Sequence, residues 1–177
     1  RPVTNFPDDS VVVLDALTYA ADKSFLDPVA SSIMFQEGDI ADLELVTSLV
    51  KDYDIDVIVN FAAETHVDVS ISNPTIFIET NVIGTHNLLE LAHAYRVNRF
   101  HHISTDEVYG ALTKTDAPFT EYSPLLPQNP YSASKAGAEH IVNAFRNTFG
   151  LDTVITRCSN NYGPYHFPEK LIPLMIL

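Results

Sequence analysis

Short β-branched runs alternate along the chain with longer stretches whose apolar residues recur at helical spacing. VVVLD (11–15), IMFQEGD (33–39), VIVNF (57–61), FHHIS (100–104) and TVITR (153–157) predict strands, because short runs rich in Val, Ile and Phe suit a buried pleated surface. DLELVTSLVKDY (42–53), PTIFIETNVIGTHNLLELAHAY (74–95) and PYSASKAGAEHIVNAFRNTFG (130–150) predict helices. Pro74 and Pro130 fall in a first turn, where a missing N–H costs nothing, and Gly150 follows the last apolar residue of its helix. Parallel neighbours need long crossovers, so strand and helix in alternation predict an α/β fold with a doubly wound, mostly parallel sheet and helices on both faces. The proline-punctuated segment 111–129 has no periodicity and predicts a loop at the carboxyl end of a strand, where open α/β sheets bind ligands.

Composition narrows the function. The 177 residues are 46% hydrophobic, enough for one core. A formal net charge of −13 excludes a general nucleic-acid or anionic-membrane surface. Any anionic ligand must be held by local donors. With no apolar run long enough for a bilayer and no cleavable signal pattern, a cytoplasmic protein is expected. The single Cys158 forms no intrachain disulfide and reads as a small buried residue near a strand end. The histidines show no metal-ligand spacing and are expected to be satisfied structural or surface groups, with His66 nearest the cleft.

Candidate chemistry sits at the strand ends. Asp15 closes VVVLD, where a carboxylate can accept both hydroxyls of an adenosine ribose and repel a phosphate, favouring NAD over NADP; a turn cap is the alternative. In GDIAD (38–42), Asp39 and Ile40 could flank an adenine, or Gly38 and Asp42 could make a turn and cap the next helix. In NFAAET (60–65) a buried strand runs into Ala62 and Ala63, small enough for something to approach the backbone closely, although a tight turn also explains them. Tyr131 and Lys135 lie four apart and share a helix face. An ammonium there is expected to lower the phenol's pKa toward a general base's range and can also hold ribose hydroxyls. Asp106 and Glu107, directly after a predicted internal strand, are expected to face different sides of an irregular turn. Two carboxyls in one cleft can be split into an acid and a base.

A dinucleotide fold opens with a strand and a Gly-rich turn, yet this chain opens with RPVTNFPDDS and its first glycine is Gly38. Residues 1–10 therefore read as a helix end and the loop into VVVLD. The expectation is a Rossmann-like fold lacking its first strand, its glycine turn and most of a C-terminal substrate domain. Residues 1–158 would be a partial NAD-binding domain and 159–177 the start of the substrate-binding region.

LDALTYA (14–20), GDI (38–40), FAAETHVDVSI (61–71), ETNVIGTHNLLE (79–90), STDEVYG (104–110), YSASKAG (131–137) and RCSNNYGPYHFPEKLIPL (157–174) occur in this order. Together they resemble the extended short-chain dehydrogenase/reductases that act on nucleotide sugars, and within them the dTDP-glucose 4,6-dehydratase branch. The resemblance implies NAD-dependent C4 oxidation, elimination of water across C5 and C6, and return of hydride to C6. Tyr131, with Lys135, would take the C4 hydroxyl proton, Thr105 would hydrogen-bond that hydroxyl, Glu107 would remove the C5 proton, and Asp106 would protonate the departing C6 hydroxyl. Cofactor positions by the same resemblance are Asp15, Ala16, Leu17, Thr18, Asp39, Ile40, Phe61, Ala62, Ala63, Glu64, Thr65, Thr80, Tyr131, Lys135 and Asn161. Thr65, Thr105, Asn160, Lys170 and Leu171 match positions that meet the sugar nucleotide. Val69 stands where such relatives usually carry Arg. A homodimer through helices 74–95 and 130–150 is also implied. The competing readings are a dehydratase or epimerase for another sugar nucleotide such as UDP-glucose, and an inactive nucleotide-binding fragment.

Overall fold

The structure is a computed structural model that describes residues 8–177, so most of the loop expected over residues 1–10 lies outside the described residues. The fold is α/β and Rossmann-like, and every strand pairing in it is parallel. Ile40–Ser159 make one compact unit, and the residues up to Asp39 and from Asn160 make another.

In the smaller unit β1 (Val11–Asp15) pairs with β2 (Ile33–Glu37), Val11 opposite Ile33 and Asp15 opposite Glu37. A 3-10 helical stretch, Lys23–Ser32, links them, started by Asp22, whose carboxylate accepts from Ser24 N at 2.9 Å. Ring contacts join this stretch to the later segment: Phe25 stacks on Tyr165 at 4.4 Å and Tyr19 meets Phe167 edge-on at 5.6 Å. A short helix, Leu171–Ile176, follows them.

In the larger unit β4 (Arg99–Thr105) lies between β3 (Val57–Asn60) and β5 (Thr153–Cys158). One sheet is expected, whereas the described strands pair as two, because β1 finds its hydrogen-bond partner only in β2 and β3 only in β4. Along β4 the buried Phe100, His102 and Ser104 alternate with half-buried His101 and Ile103, as a period of two requires. The helices that cover β4 are α4 (Thr85–Ala94) and α5 (Pro130–Phe149). Leu88, Leu89, Leu91 and Ala92 come from α4, and Ala136, Ala138 and Val142 from α5. Gly150 ends α5 at φ 71°, a left-handed conformation that glycine adopts without strain. Earlier, α1 (Leu43–Asp52) is capped by Asp42, which accepts from Leu45 N at 3.0 Å and buries Val46 and Val50.

Two departures carry information. Val67–Ser72 form a short helix, α2, that the periodicity does not announce. The single helix expected over 74–95 is instead α3 (Pro74–Phe77), a π-helical stretch Ile78–Gly84, and α4. The wider turn brings Asn81 inward and sets the Gly84 backbone against Ile40, where an added Cβ would lie 2.5 Å from the Ile40 side chain. Among the described residues no helix is long and apolar enough to cross a membrane.

His102 corrects the expectation that the histidines are satisfied or at the surface: it is fully buried and neither ring nitrogen has a hydrogen-bond partner. Burial, then the Lys135 and His101 charges, push its pKa down to about 3. The folded form thus refuses a proton that the unfolded chain accepts below about pH 6.5. Stability from this group is complete above that pH and is lost as pH falls toward 3, with a slope of about 1.4 kcal/mol per unit. In urea titrations, wild-type stability should fall between pH 7 and pH 5 by about 2 kcal/mol more than that of His102→Leu. Parallel pH dependences would refute the assignment.

Candidate active site

The site of the larger unit begins where β4 stops. Thr105 ends the strand, and its Oγ1 accepts from Glu107 N at 3.2 Å, capping a 3-10 turn over Asp106–Tyr109. Asp106 Oδ1 lies 3.5 Å from the same Thr105 hydroxyl. Gly110 follows at φ 95°, and a Cβ there would stand 2.7 Å from Leu126 O, so only glycine lets the chain pass. Leu126 N then donates to Val108 O at 2.9 Å, which brings the far end of the 111–129 loop back beside the turn.

That return delivers Asn129 as the cap of α5. Its side chain accepts from Ser132 N at 2.8 Å while Ser132 Oγ accepts from Asn129 N at 3.2 Å, a reciprocal capping box. The Asn129 amide also donates to Glu107 Oε2 at 3.4 Å. One asparagine therefore starts the helix that carries Tyr131 and Lys135 and touches the second acid.

Tyr131 and Lys135 are both buried, and Phe77 meets the Tyr131 ring edge-on at 6.3 Å. The Thr105 hydroxyl and the charges of Glu107 and Asp106 all act on the Tyr131 phenol. Tyr131, Thr105 and the acid pair therefore form one cluster. Lys135 Nζ donates to Ile103 O at 2.7 Å, which leaves two of its three N–H groups for other acceptors. Burial raises the Tyr131 pKa to about 12, with the Thr105 hydrogen bond opposing and the nearby acids assisting. Burial lowers Lys135 to about 8 against the pull of Glu139 and Cys158. The expected lowering of the phenol by its lysine neighbour is thus corrected. Desolvation is the largest cause for both groups, because it penalises the charged form of either.

The loop after β3 is held by asparagines. Asn60 Oδ1 accepts from Ala62 N at 3.1 Å, and its amide donates to Thr85 Oγ1 at 3.0 Å. Asn81 accepts from Glu64 N at 2.8 Å and donates to Glu64 O at 3.0 Å and Ser134 Oγ at 2.9 Å, joining the loop to α5 one residue before Lys135. Ala62, Ala63 and Glu64 are half-buried, Phe61 and Thr65 exposed, and Thr80 half-buried beside Asn81. Ile40 is buried, and Asn87 donates to the carbonyls of Ile40 and Ala41 at 3.4 and 3.0 Å. His66 caps α2 directly after Thr65.

The smaller unit holds the remaining candidates. Asp15 Oδ1 accepts from Leu17 N at 2.8 Å, and Leu17 has φ 48°, so residues 15–18 make a tight turn at the end of β1. Ala16, Thr18, Asp39, Asn160, Asn161 and Leu171 are exposed. Lys170 pairs with Glu169 at 3.2 Å, which tempers the local positive charge expected of it. Cys158, expected to be buried, is half-buried, because its thiol sits at the end of β5 and donates to Ser104 O at 3.3 Å.

Asn129, Asn81, Asn60 and Phe77 were not singled out from the sequence. Asn129 carried a legible signal, a polar residue before a first-turn proline. The others depend on contacts between residues distant in the chain.

A family model described as GDP-mannose 4,6 dehydratase matches residues 9–177. The chain is 52% identical over 180 residues to the dTDP-glucose 4,6-dehydratase of Neisseria meningitidis serogroup B, covering 96% of this chain and 51% of that protein. DesIV, the dTDP-glucose 4,6-dehydratase of Streptomyces venezuelae, solved with NAD bound, superposes with a TM-score of 0.91 at 49% identity, over 98% of this chain and 53% of that one. The dTDP-glucose 4,6-dehydratase of Bacillus anthracis in complex with NAD gives 0.89 at 45% identity, over 99% and 54%. The chain spans about half the length of the curated relatives it matches.

Asn81→Ala strips partners from the Glu64 backbone and the Ser134 hydroxyl at once and should cost about 2–4 kcal/mol in urea unfolding. A loss below the experimental error would show that the loop is not held this way.

Proposed function

The chain belongs to the GDP-mannose 4,6 dehydratase family, and from that premise we propose that its protein converts dTDP-glucose to dTDP-4-dehydro-6-deoxy-glucose and water with NAD as a recycled cofactor. The observation that carries this reading is the acid pair Asp106–Glu107, on the turn that Thr105 caps, close enough to the Tyr131 phenol for both charges to act on it. Inversion at C4 has no use for two carboxylates there. Elimination from C5 and C6 needs both.

The residues fit NAD in kind. Lys135 has two N–H groups left for ribose hydroxyls, Ala62 and Ala63 add little bulk near the backbone, and Asp15 presents a carboxylate at the end of β1. Ala16–Thr18, Asp39, Ile40, Phe61, Glu64, Thr65, Thr80 and Asn161 complete the cofactor set in this reading. Bound NAD would supply the redox chemistry, accepting hydride from C4 and returning it to C6. Tyr131 takes the C4 hydroxyl proton, aided by Lys135, while Thr105 orients that hydroxyl. The 4-ketone acidifies C5–H, Glu107 removes that proton, and Asp106 gives one to the departing C6 hydroxyl, which leaves as water. Hydride to C6 and the proton from Glu107 to C5 complete the product. The proton gained by Tyr131 and the one lost by Asp106 balance through solvent. Thr65, Asn160, Lys170 and Leu171 are assigned to the sugar nucleotide.

Relatives named dTDP-glucose 4,6-dehydratase support thymidine over uridine as the base. The protein is further read as a cytoplasmic homodimer, supported by exposed apolar residues Ile83 before α4 and Phe149 on α5.

The protein expressed from its whole natural reading frame should turn dTDP-glucose into a 4-keto-6-deoxy sugar with its NAD content unchanged, and should prefer dTDP- over UDP-glucose in competition. An unaltered sugar would refute the reading. Glu107→Gln should abolish exchange of the C5 hydrogen with solvent, and wild-type exchange in that variant would remove Glu107 from its role. Sedimentation should give twice the chain mass, and a monomer would exclude the dimer.

A further inference from the structure

A charged network outside the reacting cluster holds the acid pair from behind. Arg157, on β5, chelates Glu139 of α5: Nε lies 3.0 Å from both carboxylate oxygens and Nη2 2.6 Å from Oε2. The Glu139 side chain is fully buried. The remaining arm, Nη1, donates to the Tyr109 hydroxyl at 2.6 Å, and the guanidinium carbon lies 4.9 Å from the centre of the Tyr109 ring. Phe119 stacks on that ring at 4.9 Å. Tyr109 is the last residue of the 3-10 turn whose first two residues are Asp106 and Glu107.

We propose that Arg157 and Tyr109 are positioning residues for the elimination step, fixing where Asp106 and Glu107 stand relative to Tyr131. This rests on the dehydratase reading above. The turn is held in front by the Thr105 hydroxyl, and at its back by the Arg157–Tyr109 bond. Among the described residues the Glu107 carboxylate has one hydrogen bond, a long one of 3.4 Å from Asn129. Tyr131 and Lys135 are held independently, by the α5 capping box, the Phe77 ring and the Ile103 carbonyl. Releasing the back of the turn therefore loosens the acids and leaves the oxidising pair in place. One guanidinium fork meets a carboxylate and a phenol on two different elements, which a lysine ammonium cannot reproduce with the same geometry.

The test uses the protein from its whole natural reading frame with Tyr109→Phe, which removes only the hydroxyl, and Arg157→Lys, which keeps a cation beside Glu139. Both should lower kcat and C5 hydrogen exchange about tenfold or more, a cost that small misplacement of acting groups produces. KM for dTDP-glucose should stay within a factor of about two, because no group assigned to substrate binding is altered. On mixing with substrate, reduced cofactor should accumulate in the variants and stay low in wild type, since oxidation proceeds and elimination stalls. A purely structural role would depress cofactor reduction and C5 exchange together. That proportional loss, or a wild-type rate in both variants, overturns the positioning role alone. A wild-type protein that leaves dTDP-glucose unaltered overturns the function and this role with it.

Discussion

Glu139 keeps a carboxylate where no water reaches it, which costs several kcal/mol unless a cation meets it. Arg157 meets it, and in doing so fastens α5 to β5. The guanidinium is in turn held well above its usual pKa, first by the bond to Glu139, so it stays charged across the physiological range. On that helix Tyr131 and Lys135 share a face over the end of β4, held there by the capping box and the Ile103 carbonyl. The same guanidinium reaches Tyr109, so the turn carrying the acids is tied to the helix carrying the phenol. The turn that carries the acid pair therefore depends on one buried charge pair.

Burial also decides the electrostatics. It raises Tyr131 to about 12 and lowers Lys135 to about 8, moving each group toward its neutral form. Without a ligand the phenol keeps its proton at neutral pH. A cationic nicotinamide ring and a substrate hydroxyl in hydrogen-bond reach would favour the phenolate, as any opposite charge nearby does. Reactivity is then gated by occupancy. That suits the proposed dehydratase reaction, in which oxidation precedes elimination.

Much of this was legible in the chain. β-branched runs and helical spacing locate β1 through β5, α1 and α5 to within a few residues, and Pro130 and Gly150 bound α5 as their backbone limits dictate. Thr105, Asp106, Glu107, Tyr131 and Lys135 were all nameable, since strand ends and an i,i+4 pair are local features. The π-helical stretch is not, because its apolar spacing matches an ordinary helix and the groups that Asn81 bonds, at Glu64 and Ser134, lie elsewhere in the chain. The six-residue α2 was too short for a period. The direction of the Tyr131 shift failed for a related reason: spacing reveals the lysine neighbour but not the depth of burial. His102 is illegible likewise, as a histidine in a strand does not announce that both ring nitrogens lack partners.

The central claim is that one site oxidises, eliminates and reduces without releasing its hydride. dTDP-glucose carrying deuterium at C4 should give a product with that deuterium at C6, read by mass spectrometry and NMR. Deuterium lost to solvent or bound cofactor, or product labelled elsewhere, would contradict the account.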